Sequence, residues 1–348
     1  MNKIKFETDY QEGASPEVLR LLTVTNLEQT SGYGDDVHCQ RAKSLIRKEA
    51  DKPDSAVYFM AGGTQTNTTV IKHLLTPCEG VISVSTGHIN VHESGAIEST
   101  GHKVITLEGV DGLMTAESLR EYMTAFKADP TNEHMVQPGM VYVSYSSELG
   151  TLYTKKGLAE IKSVCEDFGL KLFVDGARLG AAVTAEGSDV DIKTLAELCD
   201  VFYIGGTKNG ALFGEAVVFP KPETVNLRQF TTIIKQQGGL LAKGRLLGLQ
   251  FEALFEDGLY YRNAKHANTQ AMKIKQAFKE KGVPFLIDSP TNQQFPILTS
   301  EQNDELSKNF SYESWQPLED GRVAVRFCTS WATADENVDE LVQSIKQL

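Results

Sequence analysis

From residue 56 to residue 219 the chain alternates short apolar runs with longer stretches of helical periodicity. No other feature of the sequence restricts the fold as tightly. Apolar runs fall at 56–60, 80–85, 103–107, 140–145, 171–175, 200–205 and 215–219. Helical stretches fall at 66–75, 115–128 and 155–168. In the last of these, Leu158, Ile161, Val164, Cys165 and Phe168 share one face at helical spacing. Alternation of this kind predicts an α/β layer, with a mostly parallel mixed sheet sandwiched by helices. Beyond Phe219 the pattern changes. Residues 223–281 read as largely helical, with breaks near Gly238-Gly239 and Asp257-Gly258. Short strands follow at 284–287, 295–298 and 322–327, separated by polar helices at 301–309 and 335–347. The expectation is a large α/β unit over 1–250 and a smaller C-terminal α+β unit over 251–348.

A chain of 348 residues, 41% hydrophobic and 23% charged, is long enough for a closed site within an ordinary globular core. Its net charge of -12 and lack of a basic run argue against nucleic acid or an anionic membrane as partner. The five cysteines have no C-x-x-C spacing, which fits reduced thiols. The opening MNKIKFETDYQEG has no apolar core of a signal peptide, and no apolar stretch approaches a membrane span. The expected setting is cytoplasmic.

Five segments carry candidate chemistry. In IGGTKNG, residues 204–210, Lys208 stands among glycines at the end of an apolar strand. A phosphate loop needs G-x-x-x-x-G-K-[ST], and the order and spacing here do not match. A plain turn and a covalent amine remain open. In FVDGARLGAA, Asp175 ends a strand and Arg178 follows. A strand-end aspartate faces the crevice where α/β sheets bind ligands, although it also suits a helix N-cap. An acid and a lysine on neighbouring strand ends suit pyridoxal phosphate. The lysine forms a Schiff base, and the aspartate keeps the ring nitrogen protonated. In MAGGTQTNTT, Gly62, Gly63 and Thr64 open a helix whose free N–H groups suit a phosphate. In STGHINVHESG, His88 and His92 are four residues apart, but the H-E-x-x-H order and a third ligand are missing, so no metal site is expected. His88 follows a strand end and is placed to stack on a planar ring. In GRVAVRFCTSW, Arg326 lies within an apolar strand and needs an anionic partner, either a protein carboxylate or a substrate carboxylate. The glycines around Lys208 are expected to give the backbone room beside a flat ring.

The sequence resembles the threonine aldolases of the β-eliminating-lyase group, fold-type-I pyridoxal-phosphate enzymes. The motifs that carry the resemblance are TDY at 8–10, GYGDDV at 32–37, GGTQTN at 62–67, GHINVHESGAIE at 87–98 and VDGARL at 174–179. They continue with GGTKNG at 205–210, GEAVVF after it, EDGLYYRNAKHAN at 256–268 and VRFCTSW at 325–331. This resemblance implies pyridoxal 5'-phosphate held covalently on Lys208, with Asp175 paired to the ring nitrogen and His88 stacked on the ring and handling protons. It implies Gly63 and Thr64 at the phosphate, and Arg178 beside both cofactor and substrate. Arg326 and Thr8 would take the substrate carboxylate. Lys243 or Arg245 would reach a neighbouring subunit's phosphate, and Tyr33 would lie near that interface. The implied reaction is cleavage of L-threonine, L-allo-threonine or a related β-hydroxy-α-amino acid to glycine and an aldehyde. The implied assembly is a homo-oligomer, dimer or tetramer, with active sites at a subunit interface. A β-eliminating lyase or an aminotransferase acting on a small amino acid uses the same lysine and aspartate and stays open. Many members carry a Thr-His pair where this chain has Ser146-Ser147-Glu148. That departure leaves His88, Glu148 or a water as the base for the β-hydroxyl.

Overall fold

The computed structural model describes residues 3–348. A two-residue strand, β1 (Ile4–Lys5), opens the chain. Seven strands then build one sheet: β2 (Ala56–Met60), β3 (Glu79–Val84), β4 (Val104–Leu107), β5 (Gln137–Ser144), β6 (Lys171–Asp175), β7 (Val201–Gly205) and β8 (Glu215–Phe219). Their spatial order is β2-β8-β7-β6-β5-β3-β4. Pairs β3–β4, β3–β5, β5–β6 and β6–β7 are parallel, and β8 runs antiparallel to both of its neighbours. The sheet is therefore mixed and mostly parallel, as the alternating pattern predicts.

Both faces of this sheet are covered, which is why its strands are apolar on both sides. Val143, Leu172, Val174, Phe202 and Ile204 pack into one core layer. Their alternates Tyr142, Phe173, Val201 and Tyr203 pack into the other. The chain places β4 on one side of β3 and β5 on the other, so the order reverses between β3 and β5. A crevice opens at such a reversal, outside the carboxyl ends of the strands. The segments bearing His88, Glu148 and Asp175 all leave the sheet there.

After β8 the helices Phe230–Gln236, Arg245–Glu256 and Leu259–Glu280 lead to a second, smaller sheet. It comprises β9 (Gln293–Gln294), β10 (Ile297–Leu298), β12 (Glu313–Pro317) and β13 (Val323–Cys328), while β11 (Phe310–Ser311) pairs elsewhere. The expected strand at 284–287 is reduced to a single bridge between Phe285 and Pro296. The sequence reading passes over β12, whose residues ESWQP are half-exposed at the sheet edge and present no apolar run.

β1 lies parallel to β11, and Phe6 is buried beside Phe278, Phe310 and Phe327 in the core of the smaller unit. The amino-terminal arm is thus hydrogen-bonded to the carboxyl-terminal unit, and it carries Glu7, Thr8, Asp9 and Tyr10 to the crevice. Helices Pro16–Val24 and Val37–Glu49 then pack on Arg245–Glu256. Among the described residues, no helix is long and apolar enough to cross a membrane.

Candidate active site

Asp175, the last residue of β6, is 3% exposed. Four donors satisfy its carboxylate. Oδ2 accepts from the Tyr142 hydroxyl at 2.5 Å and from Asn67 Nδ2 at 3.0 Å. Oδ1 accepts from the Tyr203 hydroxyl at 2.5 Å and from the Ala177 amide at 2.9 Å. Burial alone would raise its pKa, but the nearby His88 charge and these donors outweigh burial and hold it below the usual aspartate value. Burial and the charge on Asp175 push both phenols well above their ordinary value, so each keeps its proton and donates it. Strand register explains the geometry. Ser144 pairs with Asp175, Tyr142 with Phe173 and Phe173 with Val201, so Tyr142 and Tyr203 share the face of Asp175.

Lys208 lies one turn beyond β7. Gly205 and Gly206 are needed for backbone packing: a Cβ on Gly205 would strike the Ala177 carbonyl, and one on Gly206 would come within 2.8 Å of the Gly214 carbonyl. This differs from the expectation of room beside a flat ring. Three backbone segments converge here, which fixes the lysine's root. Gly210 at φ 99° closes the turn in the region glycine favours. The Lys208 ammonium lies 5.9 Å from the centre of the Tyr10 ring. Burial, with the charge of Arg178, lowers its pKa against the opposing effects of Asp9, Asp175 and Glu215. Glu215 accepts from the Thr207 hydroxyl at 2.8 Å and the Gly206 amide at 3.2 Å. Burial raises its carboxyl to about 8.

A cavity of about 340 Å³ brings together Lys208, Asp175, His88, Gly63, Thr64 and Glu215. The helix Gly63–Leu74 begins at this cavity with no side-chain cap, leaving its first amides directed at the space. His88 Nδ1 meets Glu93 Oε1 at 2.9 Å, and the same oxygen accepts from Asn67 at 2.7 Å. Burial lowers the pKa of His88, but the Glu93 hydrogen bond and the Asp175 charge exceed it, so the ring is held above its ordinary value. The His92 ring centre is 5.7 Å from that of His88, and no group of three metal-ligating side chains occurs among the described residues.

A second cavity, of about 570 Å³, adjoins the first through Lys208, His88, Arg178 and Glu148, and adds Thr8 and Arg326. The two arginines differ. Arg178 is gripped in bidentate fashion by buried Asp9, at 2.7 and 3.0 Å, and Arg326 pairs with half-exposed Glu313 at the edge of β12. Burial of Asp9 is overcome by Arg178 and Lys208, and its carboxyl falls to about 2. Arg326 also reaches the Gln293 side chain and the Glu7 carbonyl, its guanidinium lies 5.2 Å from the Trp315 ring, and its Nε has no partner. An incoming carboxylate therefore meets a half-exposed, replaceable partner at Arg326 and a buried bidentate pair at Arg178.

Three expected residues lie outside both cavities. Arg245 donates to the carbonyls of Thr25, Asn26 and Glu28 in its own chain. Lys243 is exposed on the preceding turn. Tyr33 is exposed, donates its amide to the Ala242 carbonyl, and lies over the Lys235 ammonium. Conversely, the sequence reading missed Asn67, Tyr142, Tyr203, Asp9, Glu93 and Glu215. Asn67 was legible as the residue one turn after Gly63, and the tyrosines as polar alternates in otherwise apolar strands. Asp9 and Glu215 carried no local signal.

The donor set fits pyridoxal phosphate: an ionised buried carboxylate for a ring nitrogen, an amine of lowered basicity for an aldehyde, and an uncapped helix start for a phosphate. The mixed sheet with its appended unit is the fold of the fold-type-I pyridoxal-phosphate enzymes. A Thermus thermophilus aspartate aminotransferase shares it at a TM-score of 0.73 and 14% identity, over 99% of this chain and 91% of that one. A family model described as Beta-eliminating lyase matches residues 6–300, and the chain belongs to that family. It is similar to a low specificity L-threonine aldolase of Pseudomonas sp. (strain NCIMB 10558), with 31% identity across 98% of this chain and 97% of that one. A Pseudomonas aeruginosa protein of the same name is 30% identical over equal shares. A solved structure described as Leishmania major threonine aldolase superposes at a TM-score of 0.94, with 40% identity over 99% of both chains.

Because the folded pKa of Asp175 is depressed, its stabilisation is present above pH 3.8 and disappears as pH falls through the folded value. Replacing Tyr203 with Phe removes a hydrogen bond to a charged group, and Asp175 should titrate at higher pH than in the parent chain. Acid unfolding of the variant, followed by circular dichroism, should begin at higher pH than in the parent chain. An unchanged acid limb contradicts this account of Asp175.

Proposed function

We propose that the chain is a pyridoxal-phosphate-dependent aldolase that cleaves L-threonine, L-allo-threonine or related β-hydroxy-α-amino acids to glycine and an aldehyde. The observation that carries this reading is the convergence of ionised Asp175 and the lowered Lys208 amine on one cavity, in a chain whose relatives are named threonine aldolases. Bound there, the cofactor would supply an electron sink for the pair released from the Cα–Cβ bond. Lys208 would be its covalent anchor and would exchange with the substrate amine. Its lowered basicity keeps more of the amine unprotonated and nucleophilic. Asp175 would hold a proton on the ring nitrogen, because its own proton affinity is low. Gly63 and Thr64 would receive the phosphate at the helix start. His88 would lie against the ring, oriented by Glu93. Arg326 would take the substrate carboxylate in place of Glu313, with Thr8 beside it. Arg178, held by Asp9, would contribute its charge to that end of the cavity.

A homo-oligomer is the proposed assembly, with Tyr33 and Lys243 at the subunit contact. Its support is that these two exposed residues sit on abutting turns, and that Val24, Leu27 and Val37 nearby in sequence are 63%, 91% and 64% exposed. Isologous contacts are the usual way to cover such a surface. The five unpaired cysteines support a reducing, cytoplasmic setting.

With L-threonine, the holoenzyme should release glycine and acetaldehyde, and Lys208→Ala should cut turnover by at least roughly a thousandfold. Pyruvate with ammonia, or a new keto acid, as the main product would replace the reading with a β-eliminating lyase or an aminotransferase. Full turnover in Lys208→Ala would remove Lys208 from the chemistry. Light scattering should return a mass of at least twice 38.3 kDa, and a monomer that stays active would rule out the interface.

A further inference from the structure

We propose that Glu148 is the catalytic base that accepts the substrate's β-hydroxyl proton, an inference that rests on the aldolase reading above. The loop after β5 carries Glu148 to the seam between the two cavities, where it faces both of them together with Lys208, His88 and Arg178. One carboxylate oxygen is anchored: Oε1 accepts from the Ser144 hydroxyl at 2.7 Å and from the His88 amide at 2.9 Å. The other, Oε2, is buried and has no hydrogen-bond donor. A buried carboxylate oxygen without a donor is costly, and the cost is relieved by a ligand that brings a hydroxyl. Substrates of this class carry one such group, on Cβ. Burial raises the Glu148 carboxyl above the ordinary glutamate value, which makes the ionised form a stronger base than an exposed carboxylate.

The neighbouring histidines fit the role less well. His88 spends Nδ1 on Glu93, and the charges of Glu93 and Asp175 favour its protonated form, which has no lone pair to offer. His92 is exposed at the outer cavity, beyond the ring of His88. Partial desolvation and the charges of His88, Arg326 and Arg178 hold it below its ordinary value, which favours the neutral imidazole and makes it the competing base.

The step balances as follows. The β-O–H bond breaks and its proton moves to Glu148 Oε2. The oxygen's electron pair forms the aldehyde carbonyl as the Cα–Cβ bond breaks. A cofactor held by Lys208 and Asp175 would supply the electron sink for the pair from that bond, and Cα would take up one proton, matching the one that Glu148 gives back to solvent. In the direction of synthesis Glu148 returns its proton to the aldehyde oxygen.

The test compares two reactions of one holoenzyme. Threonine cleavage needs the β-hydroxyl base, whereas exchange of a glycine Cα hydrogen for deuterium involves no β-hydroxyl. In Glu148→Gln, cleavage should fall by at least about a hundredfold, the scale of a lost general base, while glycine exchange changes by less than about threefold. Retained exchange also reports that the variant is folded and loaded with cofactor. Equal loss of both reactions makes Glu148 a structural residue and overturns the proposal, as does unimpaired cleavage. Selective loss of cleavage in His92→Asn transfers the role to His92 and overturns it equally. A parent holoenzyme that exchanges glycine but makes none from threonine defeats the aldolase reading itself, a result separate from any effect confined to the variants.

Discussion

The site depends on keeping one carboxylate ionised inside a protein core. Asp175 is buried on a sheet face otherwise covered with aromatic and aliphatic side chains, where an unpartnered charge is strongly unfavourable. Tyr142, Tyr203, Asn67 and the Ala177 amide make it tolerable. Each of these donors comes from a different element: β5, β7, the helix Gly63–Leu74 and the turn after β6. The charge is therefore a condition on how four elements meet. A register shift in β5 or β7 would remove one of its two phenol donors.

The same logic extends outward. Asn67 links Asp175 to Glu93, and Glu93 fixes the ring of His88. On the other side, the amino-terminal arm is anchored in the smaller unit by β1 and Phe6, and it delivers Asp9 to Arg178. Lys208 stands between these two networks, close enough to both that Arg178 lowers its pKa and Asp9 and Asp175 raise it. Its basicity is set by burial together with a balance of charges from the large unit and from the arm.

The repeating apolar runs made the large sheet legible, because strands covered on both faces must be apolar throughout. β2, β6, β8 and the helix Lys155–Phe168 match the predicted bounds, since turn residues and helix caps punctuate them clearly. β12 was illegible because an exposed edge strand has little apolar content, and the strand expected at 295–298 is instead divided into β9 (Gln293–Gln294) and β10 (Ile297–Leu298), pieces too short to show a period. The placement of Lys208, Asp175, His88, Gly63 and Thr64 at one crevice followed from strand ends and a glycine-opened helix. The partners that tune them did not. Asp9 meets Arg178 across 169 residues, and Asn67 meets Asp175 across 108, and no local pattern encodes such distances. The pairing of Arg326 with Glu313 lay equally out of reach, because Glu313 belongs to the strand that the pattern does not reveal.

Lys208, opposite Asp175, is the amine proposed to hold pyridoxal phosphate. The direct measurement is to load the purified protein with the cofactor, reduce it with borohydride, digest it and map the modified peptide by mass spectrometry. A single stoichiometric pyridoxyl group on Lys208 is expected. Modification spread over exposed lysines such as Lys193 and Lys308, with Lys208 left free, would contradict it.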